Sequence, residues 1–374
     1  CDTERRDRLA QIDFHRTPYR PPVVADREPD PVGPIPTRPE PRRLHLVAEV
    51  APLAAGVAMY AMTRQAHFLL FTLISPVVMV GTAIDDRRSG RRTFRADLAA
   101  FREMLAGRRA EFERLRSLEA DERRRAAPDL ADLVRRAELR TIDLWPRDAR
   151  APDFLHLRLG LGPDTVSFPV EIEPDGDPDL RAEAVAALDG ASELNDVPIS
   201  VDLARHLLGV HGDPDLVEGV AASLLVQAAT LHSPDDVAIA VAVSSERRFG
   251  WAKWLPHLRS VTSPVAGSHL ATTSADADAL VGRLLEVAAF RGAQRGHDVV
   301  AVHRPRVLVV LDADLGADPA AVSRLLDVAL DVSISVIWLA ADAAAVPRHA
   351  DRILDVRIAD DARMTGRLWA TDPS

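Results

Sequence analysis

Three mainly apolar runs restrict the fold of this chain more than any other feature: VAIAVAV (237–243), VLVVLDADL (307–315), apolar up to its closing acids, and SISVIWLA (333–340). A strand that is apolar on both faces must be covered on both, which is the pattern of a mainly parallel sheet between layers of helices. Helical segments fall where that architecture needs them, at 216–231, 280–289 and 320–330, with another at 180–188. Further strands are expected at 166–172, 199–203, 206–212 and 353–358. FLHLRLGLG (154–162) alternates strictly, with Leu155, Leu157, Leu159 and Leu161 on one face. Residues 152–374 therefore read as one α/β head.

The residues before the head read differently. Nine prolines in 18–41 favour an extended tether or strap over a packed core, within an N-terminal arm at 1–43. Two apolar runs follow inside 44–84, each 17 to 19 residues long and of bilayer length as helix. They read as two transmembrane helices, with Glu49 within reach of the headgroups. Arg42 and Arg43 before the pair and Arg87, Arg88, Arg91 and Arg92 after it place both termini in the cytoplasm of a bacterial plasma membrane. Residues 85–151 read as a helical stalk, broken at Pro128 and restarted behind a cap at Asp129. Its stripe of Phe94, Leu98, Phe101, Leu105, Phe112 and Leu115 has to pack on a partner, either the membrane complex or the returning helix at 129–139.

Charge and composition exclude several functions. The first 150 residues carry a net +5 and the rest −15, a poor match for a phosphate backbone, so no nucleic acid is expected as partner. The single cysteine, Cys1, excludes an intrachain disulfide and any zinc site built on several thiolates; standing where Met is usual, it also suggests a processed, truncated or excised chain. The twelve histidines form no i, i+4 pair around a glutamate, and Ser and His are too scattered for a triad, so no catalytic residue and no metal ligand is assigned.

Two segments have the layout of a nucleotide site. LLGVHGDPDLVEG, with Gly209 and Gly212, sets a Gly-bearing turn between a strand and a helix. VLVVLDADL ends in Asp312 and Asp314, the form of a Walker B strand. Against this, the turn lacks Gly-Lys-Ser/Thr, and Lys253, the only lysine among 46 basic residues, is far along the chain. Asp213, Asp215 and Glu218 put negative charge where phosphate would sit. Gly209, Gly212, Asp312 and Asp314 thus form a vestigial cofactor-binding set on a degenerate P-loop scaffold, with weak nucleotide binding as the alternative. WAKWLPH (251–257) reads either as a helix packed over the sheet's edge or as an interdomain contact.

Taken together, FHRTPYRPP (14–22), the Pro-rich strap, the paired apolar runs, the charged stalk and LWPRDARAPDFLHLRLGLG (144–162) resemble the EccC family of type VII (ESX) secretion systems. LHSPDD (231–236), WAKWLPH and RVLVVLDADL follow in the order that family has. The resemblance implies the membrane-anchoring, coupling part of an FtsK/SpoIIIE-type translocase that exports WXG-class proteins. It implies ATP and magnesium on ATPase domains absent from this chain, so this part is expected to hold no cofactor and hydrolyse no ATP. Implied partners are other type VII membrane components, ATPase domains or an ATPase chain, WXG-class substrates and the lipid bilayer, in an oligomeric complex. The alternatives are the membrane part of an FtsK-like DNA translocase and a membrane scaffold without a motor.

Overall fold

The computed structural model describes residues 29, 31–38, 61–62, 67–294, 305–359 and 363–371. They fall into two compact units: Ala25–Glu119 with Thr165–Leu194, and a larger one whose described part lies in Ala120–Asp164 and Asn195–Ser374. The first elements along the chain are α1 (His67–Ala126), α2 (Leu130–Leu139), β1 (His156–Thr165), α3 (Pro178–Ala187) and β2 (Glu193–Asp202).

The membrane reading is corrected here. Among the described residues, no helix is long and apolar enough to cross a membrane. The first expected span lies outside the described residues except for Ala61 and Met62. The second does not end at Ile84 as a separate helix: it opens α1, a single helix of 60 residues that runs on through the charged sequence to Ala126. A two-pass placement in the plasma membrane with both termini cytoplasmic therefore does not stand.

In the smaller unit the α1 stripe is covered from within. Phe101, Leu105, Phe112 and Leu115 are buried together with Val32, Ile35, Phe168, Leu180, Ala184 and Leu188. The expected partners, a membrane complex or the helix at 129–139, are replaced by the chain's own Pro-rich strap and α3. Val32 bridges Ile172, and Arg38 pairs with Asp177 at 2.6 Å and Asp179 at 2.5 Å. Asp177 also caps α3, accepting from the Asp179 and Leu180 N–H groups with Pro178 at the first position. The strand expected at 166–172 reduces to that one bridge.

The larger unit is built on a seven-stranded sheet. Its elements are β3 (Leu208–Gly212), α4 (Pro214–Leu231), β4 (Val237–Ala242), α5 (Glu246–Phe249), β5 (Leu270–Ala271), α6 (Ser274–Ala293), β6 (Arg306–Asp312), α7 (Pro319–Val328), β7 (Ile334–Ala340), β8 (Arg352–Ile358) and β9 (Met364–Ala370). The order is β5-β4-β6-β7-β3-β8-β9, parallel throughout except for the antiparallel pair β8–β9. Along β6, Leu308 and Val310 face the core that holds α4, and Val307, Val309 and Leu311 face the core that holds α6 and α7. The α/β expectation holds, with covered faces on both sides of a parallel sheet. The alternating strand at 154–162 does not join it: β1 pairs only with β2 in a separate two-stranded sheet. The helix restarting behind Asp129 is α2, whose Leu133 is fully buried in the α4-side core.

Phe112 stacks on Phe168 with ring centroids 6.1 Å apart and is almost fully buried. Replacing it with Ala should remove about 3–5 kcal/mol of stability, read as a lower urea midpoint by circular dichroism. A loss below about 1 kcal/mol, the level of an exposed site, would contradict the packing described for this unit.

Candidate functional site

The C-terminal ends of the parallel strands are where an open α/β sheet binds ligands, and two of the sequence-predicted groups meet that edge. β3 ends at Gly212, whose φ is +134° and where an added Cβ would lie 2.1 Å from the Val356 carbonyl oxygen. Only glycine allows that approach. One residue, Asp213, then separates strand from helix. Its carboxylate accepts from the Asp215 N–H at 3.0 Å, and its carbonyl accepts from Leu216 and Val217 at 3.0 and 2.9 Å. Pro214, at the first helical position, has no N–H to offer. From Pro214 to Val217, the donors that the start of α4 could present to a phosphate are therefore absent or already used.

Gly209 lies elsewhere, within β3, where an added Cβ would come 2.5 Å from Val346 and 3.3 Å from Ala350. It is a close-packing position inside the sheet, separate from the turn. Asp312 closes β6, accepting from the Ser244 N–H at 3.0 Å, the Ser244 hydroxyl at 2.5 Å and the Asp314 N–H at 3.0 Å. Asp314 thus contributes its backbone to the turn after β6.

Two residues that sequence reasoning passed over complete this edge, Ser244 and Arg248, both just after β4. The Arg248 guanidinium pairs with Asp215 and lies 2.7 Å from Glu218. Burial pushes the Glu218 carboxyl above its ordinary range; Arg248 opposes the shift, while Asp312 and Asp215 add to it. One guanidinium thus serves two carboxylates, Asp215 and Glu218, with a third, Asp312, close enough to raise the Glu218 pKa. Lys253 takes no part; its ammonium lies 5.7 Å from the Trp254 ring centroid. The residues do not fit a magnesium nucleotide, and among the described residues no group of three or more His, Cys, Asp or Glu is set to hold a metal ion.

Three other motifs noted in the sequence, at 144–162, 231–236 and 251–257, meet at one buried joint, while FHRTPYRPP (14–22) lies outside the described residues. His232 accepts from the Leu155 N–H through Nε2 at 3.1 Å, and its Nδ1 lies 3.1 Å from the Ala228 carbonyl. Leu155, fully buried, is held at φ +55°, a left-handed conformation that a leucine adopts only under constraint. Trp145 donates to Ala229 at 2.9 Å, and Arg147 reaches Asp153 at 2.7 Å and the carbonyls of His156 and Ala126 at 2.7 and 2.6 Å. His257 donates from Nε2 to the His232 carbonyl at 2.9 Å and meets Trp145 edge-on. The segments 144–162, 231–236 and 251–257 are one structural element, and WAKWLPH forms 3-10 turns against it.

No protein-family model matches the chain. Over 125 residues it is 38% identical to the ESX secretion system protein EccC of Thermomonospora curvata, covering 30% of this chain and 9% of that protein. Over 195 residues it is 32% identical to the ESX-3 secretion system protein EccC3 of Mycobacterium tuberculosis, covering 48% and 14%. The chain aligns with less than a fifth of the length of these relatives. Among solved structures, the cytoplasmic domain of the Thermomonospora curvata type VII secretion ATPase EccC matches with a TM-score of 0.36 at 13% identity, over 58% of this chain and 25% of that one. By sequence, this chain is related to the EccC-type motor subunits of type VII secretion systems.

Burial holds the His257 pKa down to about 4, against an ordinary value of 6.5. The folded state thus binds this proton less readily than the unfolded chain. Its contribution to stability is complete above pH 6.5 and is lost as pH falls towards 4, by up to about 3 kcal/mol. Urea midpoints measured from pH 7 to pH 4.5 should fall more steeply for the wild type than for His257→Gln. Parallel profiles would contradict a buried neutral histidine.

Proposed function

We propose that this chain is a non-hydrolysing α/β coupling segment of an EccC-type translocase. ATP turnover is supplied by domains or a chain beyond the residues present here, and the exported cargo is of the WXG class. The sequence relationship to EccC proteins supports the secretion role. The absence of turnover is argued from one observation: from Pro214 to Val217 the start of α4 has no uncommitted N–H, and Arg248 pairs with Asp215 and Glu218.

Charge points the same way. A triphosphate brought to this edge meets Asp215, Glu218 and Asp312. Each carboxylate near 4 Å costs about 1–4 kcal/mol at surface-like dielectrics, and a helix N-terminus returns at most about 2. Magnesium at Asp312 would have to share oxygens that already accept hydrogen bonds from Ser244 and the Asp314 N–H. In this reading the cofactors of the motor, ATP and magnesium, belong to the partner domains, and this segment acts on them through contact.

Calorimetric titration of the chain with ATP and magnesium, with phosphate release assayed alongside, tests the proposal. The expected result is no binding in the micromolar range and no turnover above buffer. Micromolar binding, or turnover abolished by Asp312→Ala, would overturn it.

A further inference from the structure

On the α6–α7 face of the sheet, a cavity of about 380 Å³ opens beside the ends of β4, β6 and β7. Its walls are predominantly apolar, formed by Leu311, Leu315, Val322, Leu326 and Trp338 among others. That volume is in the range of small-molecule sites, which are apolar with a few polar groups that fix orientation. The Trp338 indole N–H is spent on the Ala345 carbonyl at 2.9 Å, so the ring serves as wall. An apolar hollow left empty forfeits the dispersion contacts of its lining.

The polar groups at the cavity decide what it takes. Asp312 lines it, but one carboxylate oxygen accepts from Asp314 and the other from Ser244. His349 is tied to Asp327 at 2.8 Å. Arg348, also on the lining, is exposed, and among the described residues no carboxylate pairs with it. The Ser323 hydroxyl stands on the same lining. The lining cation without a carboxylate partner is thus the Arg348 guanidinium, whose planar donors suit a carboxylate or sulfonate. The Asp312 charge, held by neutral donors, stays at the end of β6.

We propose that the cavity is a binding site for a small amphipathic organic anion, with an aromatic or branched apolar body between α7 and β7 and its acidic group on Arg348. The site is distinct from the β3–α4 turn, and it stands whether or not that turn binds nucleotide.

The probe is 8-anilino-1-naphthalenesulfonate, titrated into the full chain by fluorescence. One saturable site per chain is expected, with quenching of Trp338 that disappears in Trp338→Phe. Val322→Trp fills the hollow and should abolish binding. Arg348→Glu, on an exposed side chain, should weaken it by up to about fivefold, the upper end of one accessible ion pair. Naphthalene-1-sulfonate should displace the probe, and the uncharged 1-naphthalenemethanol at equal concentration should not. If Val322→Trp loses its native circular dichroism, Arg348→Glu and the competitor pair decide alone. Unchanged affinity in Arg348→Glu, or equal displacement by the neutral competitor, would overturn the proposal.

Discussion

The upper edge of the larger unit depends on the approach of Gly212 to the Val356 carbonyl oxygen, a distance that leaves no room for a Cβ. Because β3 and β8 are pressed together to the last residue of β3, the chain has to leave the sheet at once, and Asp213 is all that intervenes before α4. So short a turn cannot wrap an anion. The helix is instead capped from within by Asp213, and the negative charge gathered there is met by Arg248 from the segment after β4. The first turn of α4 and the segment after β4 are thus held to each other by Arg248. The same junction fixes Ser244 against Asp312, so the ends of β4 and β6 are tied as well.

The buried joint around His232 plays the complementary part at the other end of α4. Its imidazole uses both nitrogens, one towards Leu155 and one towards the last turn of α4. This locks the chain entering β1 to the helix that covers the sheet. Arg147 extends the lock to the end of α1 through the Ala126 carbonyl. A neutral His257 beneath His232 adds no charge to the joint at neutral pH. Within the larger unit this joint is held by hydrogen bonds from side chains to backbone, which are less salt-sensitive than exposed ion pairs.

Much of this was legible in the sequence. The apolar runs of β4, β6 and β7 and the helices between them announced a parallel sheet because burial on both faces leaves no polar position. Gly212 and Asp312 were recognisable at the strand ends. Gly209 carries no local sign that its missing side chain makes room for Val346, which comes from the loop after β7. Arg248 was invisible for a similar reason, since its partners lie more than 25 residues earlier in the chain. The strict alternation at 154–162 identified a strand but not its neighbour, because period-two patterning fixes a face and not a sheet. Hydropathy alone misread the helix boundary near Ile84: α1 continues into charged sequence, and its apolar stripe is buried by the strap and α3.

Backbone hydrogen exchange reads directly whether the first turn of α4 is closed to phosphate. Amides of Asp215, Leu216 and Val217 all have partners, so they should exchange slowly, with rates unchanged by millimolar ATP and magnesium. Fast exchange at these three positions that becomes slow when the nucleotide is added would show an open, anion-accepting turn and contradict the account.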